Sequence, residues 1–166
     1  AMRATTTGAT NTAIGANSMA ENTTGCLNTV VGVSALQCNT SGCQNIVMGL
    51  QAMRRNQTGD NNVAIGREAL CANTTADNNT AVGFHALKSN TTGTQNVALG
   101  AYALDANTTA SQNVAIGFDA LSISTTGTAN VAIGFEAARN NQTGDDNTAV
   151  GFCALRANTT AGGSTA

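Results

Sequence analysis

A short phrase, Asn-x-Ala-Ile-Gly with small variations, recurs nine times along this chain of 166 residues, and each copy follows the previous one by 17 residues. No insertion or deletion breaks the period. A fixed period this short is typical of solenoids, in which each repeat forms one coil and adjacent coils bury a shared core. The glycines that end the phrase are Gly15, Gly32, Gly49, Gly66, Gly83, Gly100, Gly117, Gly134 and Gly151. The asparagines four residues before them are Asn11, Asn28, Asn45, Asn62, Asn79, Asn96, Asn113, Asn130 and Asn147.

The three positions between asparagine and glycine have the composition of a β-strand. The first is always β-branched, the second is Ala or Val, and the third is always apolar, and β-branched residues favour strands. After the glycine comes an apolar pair, Ala-Leu in most repeats, which we expect to form a second short strand. A polar corner such as Asn90–Gly93, rich in residues that favour turns, then closes the repeat. The 17 residues leave no room for an amphipathic helix as well.

The sequence therefore predicts an all-β fold, a parallel β-solenoid or β-roll of nine 17-residue coils. We expect residues 11–163 to form these coils. Residues 1–10, which begin with Ala1 and Met2, are interpreted as a cloning remnant with a partial N-terminal coil, and residues 164–166 as the truncated end of a longer array. At about 4.8 Å per coil, such a stack makes a rod about 43 Å long.

The asparagine and glycine columns are predicted to be structural. Stacked asparagine side chains can hydrogen-bond from coil to coil. Asparagine is also a turn former that tolerates a left-handed backbone; the pattern favours the ladder and leaves the turn interpretation open. A glycine at a fixed place in every coil indicates a corner where the backbone bends or approaches another strand closely.

The predicted strand is apolar on both of its faces. Successive strand residues point to opposite sides, so the Ile/Val position faces one way and the Ala position the other, and neither is polar in any of the nine repeats. A strand that is apolar on both faces is buried on both. We expect the Ile/Val side to fill the roll and the small Ala side to contact another chain. The residues predicted at this subunit interface are Ala64, Ala81, Ala98, Ala115, Ala132 and Ala149.

Composition argues against several classes of partner. Charged residues make up 10% of the chain and the net charge is −2. Nucleic acids and anionic membranes bind basic patches, and no apolar run approaches the roughly 20 residues of a membrane span. We therefore expect neither nucleic-acid binding nor membrane insertion.

The sequence contains no set of residues with catalytic or metal-binding spacing. His85 is the single histidine, and the five cysteines include no Cys-x-x-Cys pair. The prediction is a protein that is not an enzyme and that binds neither a metal nor a cofactor. Cys26 and Cys43 share one repeat position in adjacent coils, within disulfide range; we interpret them as free thiols and leave their pairing open.

A second functional interpretation comes from threonine in the polar corner. Regular ranks of threonine on a flat solenoid face could order water as an ice plane does, so ice binding is the alternative function. The residues of this possible ice face are Thr24, Thr58, Thr75, Thr92, Thr109, Thr126 and Thr143. Any other binding face is expected in the outward columns around Glu68, Lys88, Tyr102 and Asp119.

The strand phrase in Asn62–Gly66, Asn113–Gly117 and Asn130–Gly134 resembles the head repeats of YadA-like trimeric autotransporter adhesins. The longer repeat, with its apolar pair and a corner such as Asn90–Gly93, is similar to repeats of phage and large-virus tail or surface fibres. The resemblance implies a left-handed parallel β-roll with three chains packed side by side, which forms a stiff spike that displays a binding surface.

The function that this resemblance implies is that of a structural or adhesive spike or fibre segment, used for attachment to a host or cell surface. The implied partners are further copies of the chain, in a homotrimer, and a glycan or protein receptor on a cell surface. The implied location is a virion or phage fibre, or a bacterial cell surface. Because the matching residues are those that build the coil, the resemblance specifies the fold more closely than the ligand.

Overall fold

The computed structural model describes all 166 residues, which form a parallel β-solenoid with nine strands and no helix. Each strand is three residues long and begins directly after the repeated asparagine. The strands are β1 Thr12–Ile14, β2 Thr29–Val31, β3 Ile46–Met48, β4 Val63–Ile65, β5 Thr80–Val82, β6 Val97–Leu99, β7 Val114–Ile116, β8 Val131–Ile133 and β9 Thr148–Val150. The predicted parallel β-solenoid is confirmed.

The nine strands form one sheet in the order of the sequence. Every strand pairs in parallel with the next one, and each residue lies beside the residue 17 positions later, as Thr12 lies beside Thr29 and Ile133 beside Val150. The sequence period is therefore the coil length. Positions that share a place in the repeat form straight columns along the rod.

Hydrogen bonds join the coils around the whole circumference as well as in the sheet. Only 16 of the 110 backbone hydrogen bonds lie within the strands. In the polar corner, the amides of Thr23, Thr24 and Gly25 all donate to the carbonyl oxygen of Thr40 in the next coil. Buried backbone groups must be hydrogen-bonded. Because these bonds between coils pair them, most of each coil can lack regular secondary structure.

The expected second strand, formed by the Ala-Leu pair, is absent, and this prediction was wrong. Residues of this segment form a turn, in which Leu87 has a left-handed backbone with φ of 53°. The Leu87 side chain is nonetheless fully buried. Left-handed backbone is unfavourable for leucine, so the turn is held by core packing and by bonds such as Leu87 N–H to the Ala103 oxygen, 2.9 Å.

The interior of the solenoid is narrow and is filled by small residues. The middle residue of each strand points inward and meets the leucine of the turn and the alanine before it. Ala115, Ala120 and Leu121 are examples, and all three are 0% exposed. These columns supply the 23 residues of the hydrophobic core.

The predicted direction of the strand faces was therefore wrong. The residues assigned to a subunit interface, namely Ala64, Ala81, Ala98, Ala115, Ala132 and Ala149, are all 0% exposed in the single chain. They lie inside the roll and have no surface with which to contact a partner. The physical reason is size: a three-residue strand turns only its middle side chain inward, and the space there fits alanine or valine.

The larger apolar residues of the strand lie on the outside. The first and third strand residues and the residue after the glycine form what we call the outer apolar face. Ile14 is 59% exposed, Met48 47% and Val150 57%. The third strand residues of this face are Ile14, Val31, Met48, Ile65, Val82, Leu99, Ile116, Ile133 and Val150. The face runs along all nine coils.

Residues outside the nine coils also join the stack. The amides of Thr6, Thr7 and Gly8 donate to the carbonyl oxygen of Thr23. At the other end, Thr165 forms a parallel bridge with Thr148. None of the chain forms a helix with the length and apolar character that crossing a membrane requires.

Replacing Gly117 with alanine is expected to destabilise the solenoid strongly. Gly117 has φ of 132°, and an added Cβ would overlap the carbonyl group of Gly134 in the next coil. The strained backbone alone costs about 1–3 kcal/mol, and the clash adds to this by forcing two coils apart. Thermal unfolding followed by circular dichroism measures the loss.

The matched control for this change is Gly151→Ala. Gly151 has nearly the same φ, 131°, but an added Cβ would meet no atom within 4 Å. The control therefore carries the backbone strain without the clash. Equal losses of stability in the two variants would contradict the close approach of successive glycines.

Candidate functional site

The predicted asparagine ladder is present and fully hydrogen-bonded. The backbone amide of Asn45 donates to Oδ1 of Asn28 at 2.9 Å, and the Asn45 side-chain Nδ2 donates to the same oxygen at 3.1 Å. The second Nδ2 hydrogen reaches the carbonyl oxygen of Gly59 at 2.9 Å. Each asparagine thus joins its own coil to the one before it and to the corner that follows.

A second asparagine ladder runs beside the first and was not recognised in the sequence. Its buried members are Asn22, Asn39, Asn56, Asn73, Asn90, Asn107 and Asn141. Nδ2 of Asn39 donates to Oδ1 of Asn22 at 2.7 Å and to the Gly42 oxygen at 2.9 Å. That same oxygen accepts from Asn28 of the first ladder at 2.9 Å, so the two ladders share acceptors. The constant asparagine of the polar corner was the available signal, but turn chemistry explained it equally well.

Ser124 interrupts the second ladder. It occupies the asparagine position in its coil, its hydroxyl is buried, and it has no hydrogen-bond partner. Oδ1 of Asn107, the preceding rung, is also buried without a partner. The ladder therefore loses one connection between coils at this point.

The threonines of the polar corner divide into two columns with different roles. Hydroxyls of the first column point along the rod, as Oγ1 of Thr91 does when it donates to the carbonyl oxygen of Thr108 at 3.0 Å. The second column, which is the possible ice face, is exposed, as at Thr92 and Thr109. Except at the end of the stack, only the second column therefore has threonine hydroxyls that are not engaged along the rod.

Glu68 is the centre of a charged cluster on the outward columns. Its carboxylate lies 3.3 Å from Nε of Arg67, 3.3 Å from Nε2 of His85 and 3.2 Å from Nζ of Lys88. Burial, the largest single effect, favours the neutral acid, but the hydrogen bond and charge of Lys88, with His85 and Arg67, together hold the pKa of Glu68 below its usual value. Glu68 therefore stays ionised and holds the side chains of Arg67, His85 and Lys88 around it.

Asp119 and Tyr102, which were singled out in the sequence, lie further along the rod, as does Asp105. Asp119 pairs with Nε of Arg139 at 3.2 Å. Tyr102 packs edge-on against Phe118, with ring centroids 5.9 Å apart. Asp105 has a buried Oδ1 without a partner, and burial raises the pKa of its carboxyl. These contacts are local pairs and do not converge on one site.

Phe118, Phe135 and Phe152 stack along the rod in the column after the glycine. Their ring centroids are 5.5 and 5.3 Å apart, with nearly parallel rings. They are 44%, 43% and 78% exposed. The stack extends the outer apolar face.

One surface cleft of about 480 Å³ lies beside the Glu68 cluster. It exists because Cys71 and Ala72 are short, whereas the same columns carry Arg54 and Arg55 in the preceding coil and Lys88 and Ser89 in the next. The lining residues are Gln51, Arg54, Arg55, Glu68, Cys71, Ala72, Lys88, Ser89 and Thr91.

The cysteines and the acidic residues form no metal centre, since His, Cys, Asp and Glu side chains nowhere gather in groups of three that could hold an ion. Cys26 and Cys43 have free thiols whose Sγ atoms lie 2.7 Å apart. The straight columns bring these two thiols together, as their shared repeat position indicated.

The chain matches no known family model, no curated protein and no solved structure. The β-solenoid is established by its own strands and register. The similarity to adhesin and fibre repeats stays a prediction.

Replacing Ser124 with asparagine is expected to stabilise the solenoid. The new amide would donate to Oδ1 of Asn107 and to the Gly127 oxygen, as Asn90 does with Asn73 and Gly93. A hydrogen bond to the unpaired, buried Oδ1 of Asn107 should raise the free energy of unfolding by about 1–3 kcal/mol. The midpoint of thermal unfolding should therefore rise by several degrees. The reverse change in an intact part of the ladder, Asn73→Ser, should lower it. A midpoint that falls in Ser124→Asn would contradict the ladder's contribution.

Proposed function

We propose that this chain is a rigid segment of a spike or fibre, assembled as a side-by-side homotrimer, that serves attachment to a host or cell surface. The observation that carries this proposal is the outer apolar face, which runs along nine coils of the single chain and is exposed in some coils and half-buried in the others. Contiguous apolar surface of this kind marks an interaction site in soluble proteins.

The composition of the outer apolar face supports a chain-to-chain contact. The third strand residues are valine, isoleucine, leucine or methionine in all nine coils, whereas the first strand residue is threonine in four of them and the column after the glycine includes Arg67. Leu99 is 45% exposed and Ile133 37%. A single sheet with one solvated face would alternate apolar with polar residues. Identical copies offer equally long apolar faces, so further copies of the chain can cover this face along its whole length.

The two asparagine ladders support a role that needs stiffness. Side-chain amides hydrogen-bond from coil to coil inside the core, in addition to the backbone bonds. Each coil contacts only its neighbours, so these bonds act directly against bending and stretching. Left-handed winding and trimeric assembly are the parts of this proposal that come from the resemblance to adhesin and fibre repeats.

Ice binding is the alternative function. The exposed rank of Thr92, Thr109 and its equivalents supports it, but the hydroxyls of the adjacent column are engaged along the rod. Thermal hysteresis of the unmodified chain distinguishes the two functions. We expect no hysteresis, and ice shaping that disappears in Thr109→Glu would overturn the fibre proposal.

The double variant Leu99→Glu/Ile133→Glu is expected to remain folded and become monomeric. Both side chains point outward, so two carboxylates would be exposed in a monomer but buried without partners in an assembly, which costs several kcal/mol. Sedimentation equilibrium gives the mass of the assembly, and circular dichroism reports the fold.

Two further variants control this experiment. Thr109→Glu/Thr126→Glu adds the same charge in the exposed threonine column and should remain trimeric. Ala115→Glu places a carboxylate in the core and should disrupt the fold itself, not only assembly. The proposal is wrong if the unmodified chain sediments as a monomer, or if the double outer-face variant keeps the mass of the unmodified chain.

A further inference from the structure

We propose that the cleft bounded by Arg54, Arg55 and Lys88 binds an acidic sugar, with its carboxylate or sulfate held by the cations and its hydroxyls by the polar lining. This inference deepens the proposed attachment function, because it names the ligand class that the spike would recognise. It rests on the geometry and charge of one cleft on the side of the rod.

Two of the three cations in the cleft differ from the arginines further along the rod, whereas Lys88 is paired with Glu68 at 3.2 Å. Arg139 is paired with Asp119, and Arg156 with Glu136 at 2.6 Å. Arg54 and Arg55 form no salt bridge. The Nε of Arg54 is buried and has no hydrogen-bond acceptor. A buried guanidinium N–H without an acceptor is costly, and neither Arg54 nor Arg55 has the carboxylate partner that Arg139 and Arg156 have.

The charge of the cleft is positive on a chain that is negative overall. Arg54, Arg55 and Lys88 face a single carboxylate, that of Glu68, among the lining residues, whereas the whole chain has a net charge of −2. Burial, with the nearby charge of Glu68, raises the pKa of the Cys71 thiol. The thiol therefore stays neutral and adds no negative charge that would oppose an anion.

The size and polarity of the cleft indicate more than a small inorganic ion. Its volume of about 480 Å³ lies in the usual range of about 300–1,000 Å³ for small-molecule sites. Beside the cations, Gln51 and Ser89 offer an amide and a hydroxyl group, and Thr91 offers a hydroxyl oxygen as an acceptor, since its proton is donated to Thr108. Arginine binds carboxylates and sulfates through paired, charge-assisted hydrogen bonds. The combination fits a polyhydroxylated molecule with one anionic group, which is an acidic sugar.

The proposed assembly leaves the cleft accessible. Its lining residues lie after the glycine corner and in the turn, between the second and eighth positions beyond the glycine. The outer apolar face comprises the strand columns and the first position after the glycine. Arg54 and Arg55 therefore occupy columns that are separate from the face that other copies would cover.

Isothermal titration calorimetry on the full chain tests the site with defined probes. Glucuronic acid and N-acetylneuraminic acid represent carboxylated sugars, glucosamine 6-sulfate represents sulfated ones, and glucose and inorganic sulfate are the controls. We expect at least one acidic sugar to bind at least tenfold more tightly than glucose or sulfate alone. An ionic strength of about 0.05 M keeps screening weak. No difference between acidic sugars and both controls would overturn the proposal.

Substitutions that introduce a residue already found at the same repeat position in another coil should keep the fold intact. Arg54→Gln introduces the residue that Gln37 supplies one coil earlier, and we expect at least tenfold weaker binding. Arg139→Gln removes the same charge from the same column outside the cleft and should change affinity less than twofold. Equal weakening by the two substitutions would contradict a localised site.

A last pair of variants separates shape from charge. Cys71→Arg adds a cation but fills the cleft, and Ala72→Ile fills it without charge; Arg54 and Ile123 show that both columns accept these residues. Both variants should abolish binding, whereas tighter binding in Cys71→Arg would show that long-range attraction alone is responsible.

Sedimentation of the same samples reports assembly separately. A trimer without sugar binding contradicts only the cleft, and a monomer that binds sugar contradicts only the assembly.

Discussion

The amide-to-amide hydrogen bonds between successive asparagines set the dimensions on which the rest of the structure depends. Asn28 and Asn45 are linked at 3.1 Å, and the parallel ladder links Asn22 and Asn39 at 2.7 Å. These bonds hold neighbouring coils at strand spacing even where the backbone is irregular. At that spacing the corner must be glycine, because any Cβ at Gly117 would overlap the Gly134 carbonyl. Within each coil the interior is narrow and filled by alanine, valine, leucine and methionine, and the larger strand residues remain outside.

The period predicted the strands and their register because stacked coils leave no other pairing. The asparagine ladder followed from the same columns. Which strand face points inward could not be predicted, because alternation places Ala115 and Ile116 on opposite sides without saying which side is the core. That choice depends on the interior volume, which only the packed coil determines. The buried Leu87 with its left-handed backbone was missed because packing overrides the local preference of leucine.

Regular columns build the rod, whereas irregular columns form the cleft that we propose as a binding site. Inward columns repeat with few exceptions, and exceptions such as Ser124 leave buried polar groups without partners. Outward columns vary, and variation creates the cleft where Cys71 and Ala72 lie between longer side chains. The sequence indicated the region through Glu68 and Lys88. The cleft itself depends on side chains from three coils, so it could not be recognised by reading one repeat at a time.

Lateral association through the outer apolar face is the central claim, and it competes with end-to-end stacking, since both ends of an open solenoid present unpaired strand edges. Small-angle X-ray scattering of the unmodified chain separates these arrangements because it gives mass and length together. A lateral trimer would have the mass of three chains in a particle about 43 Å long, the length of one stack of coils. The mass of a single chain, or a particle whose length grows in proportion to its mass, would contradict it.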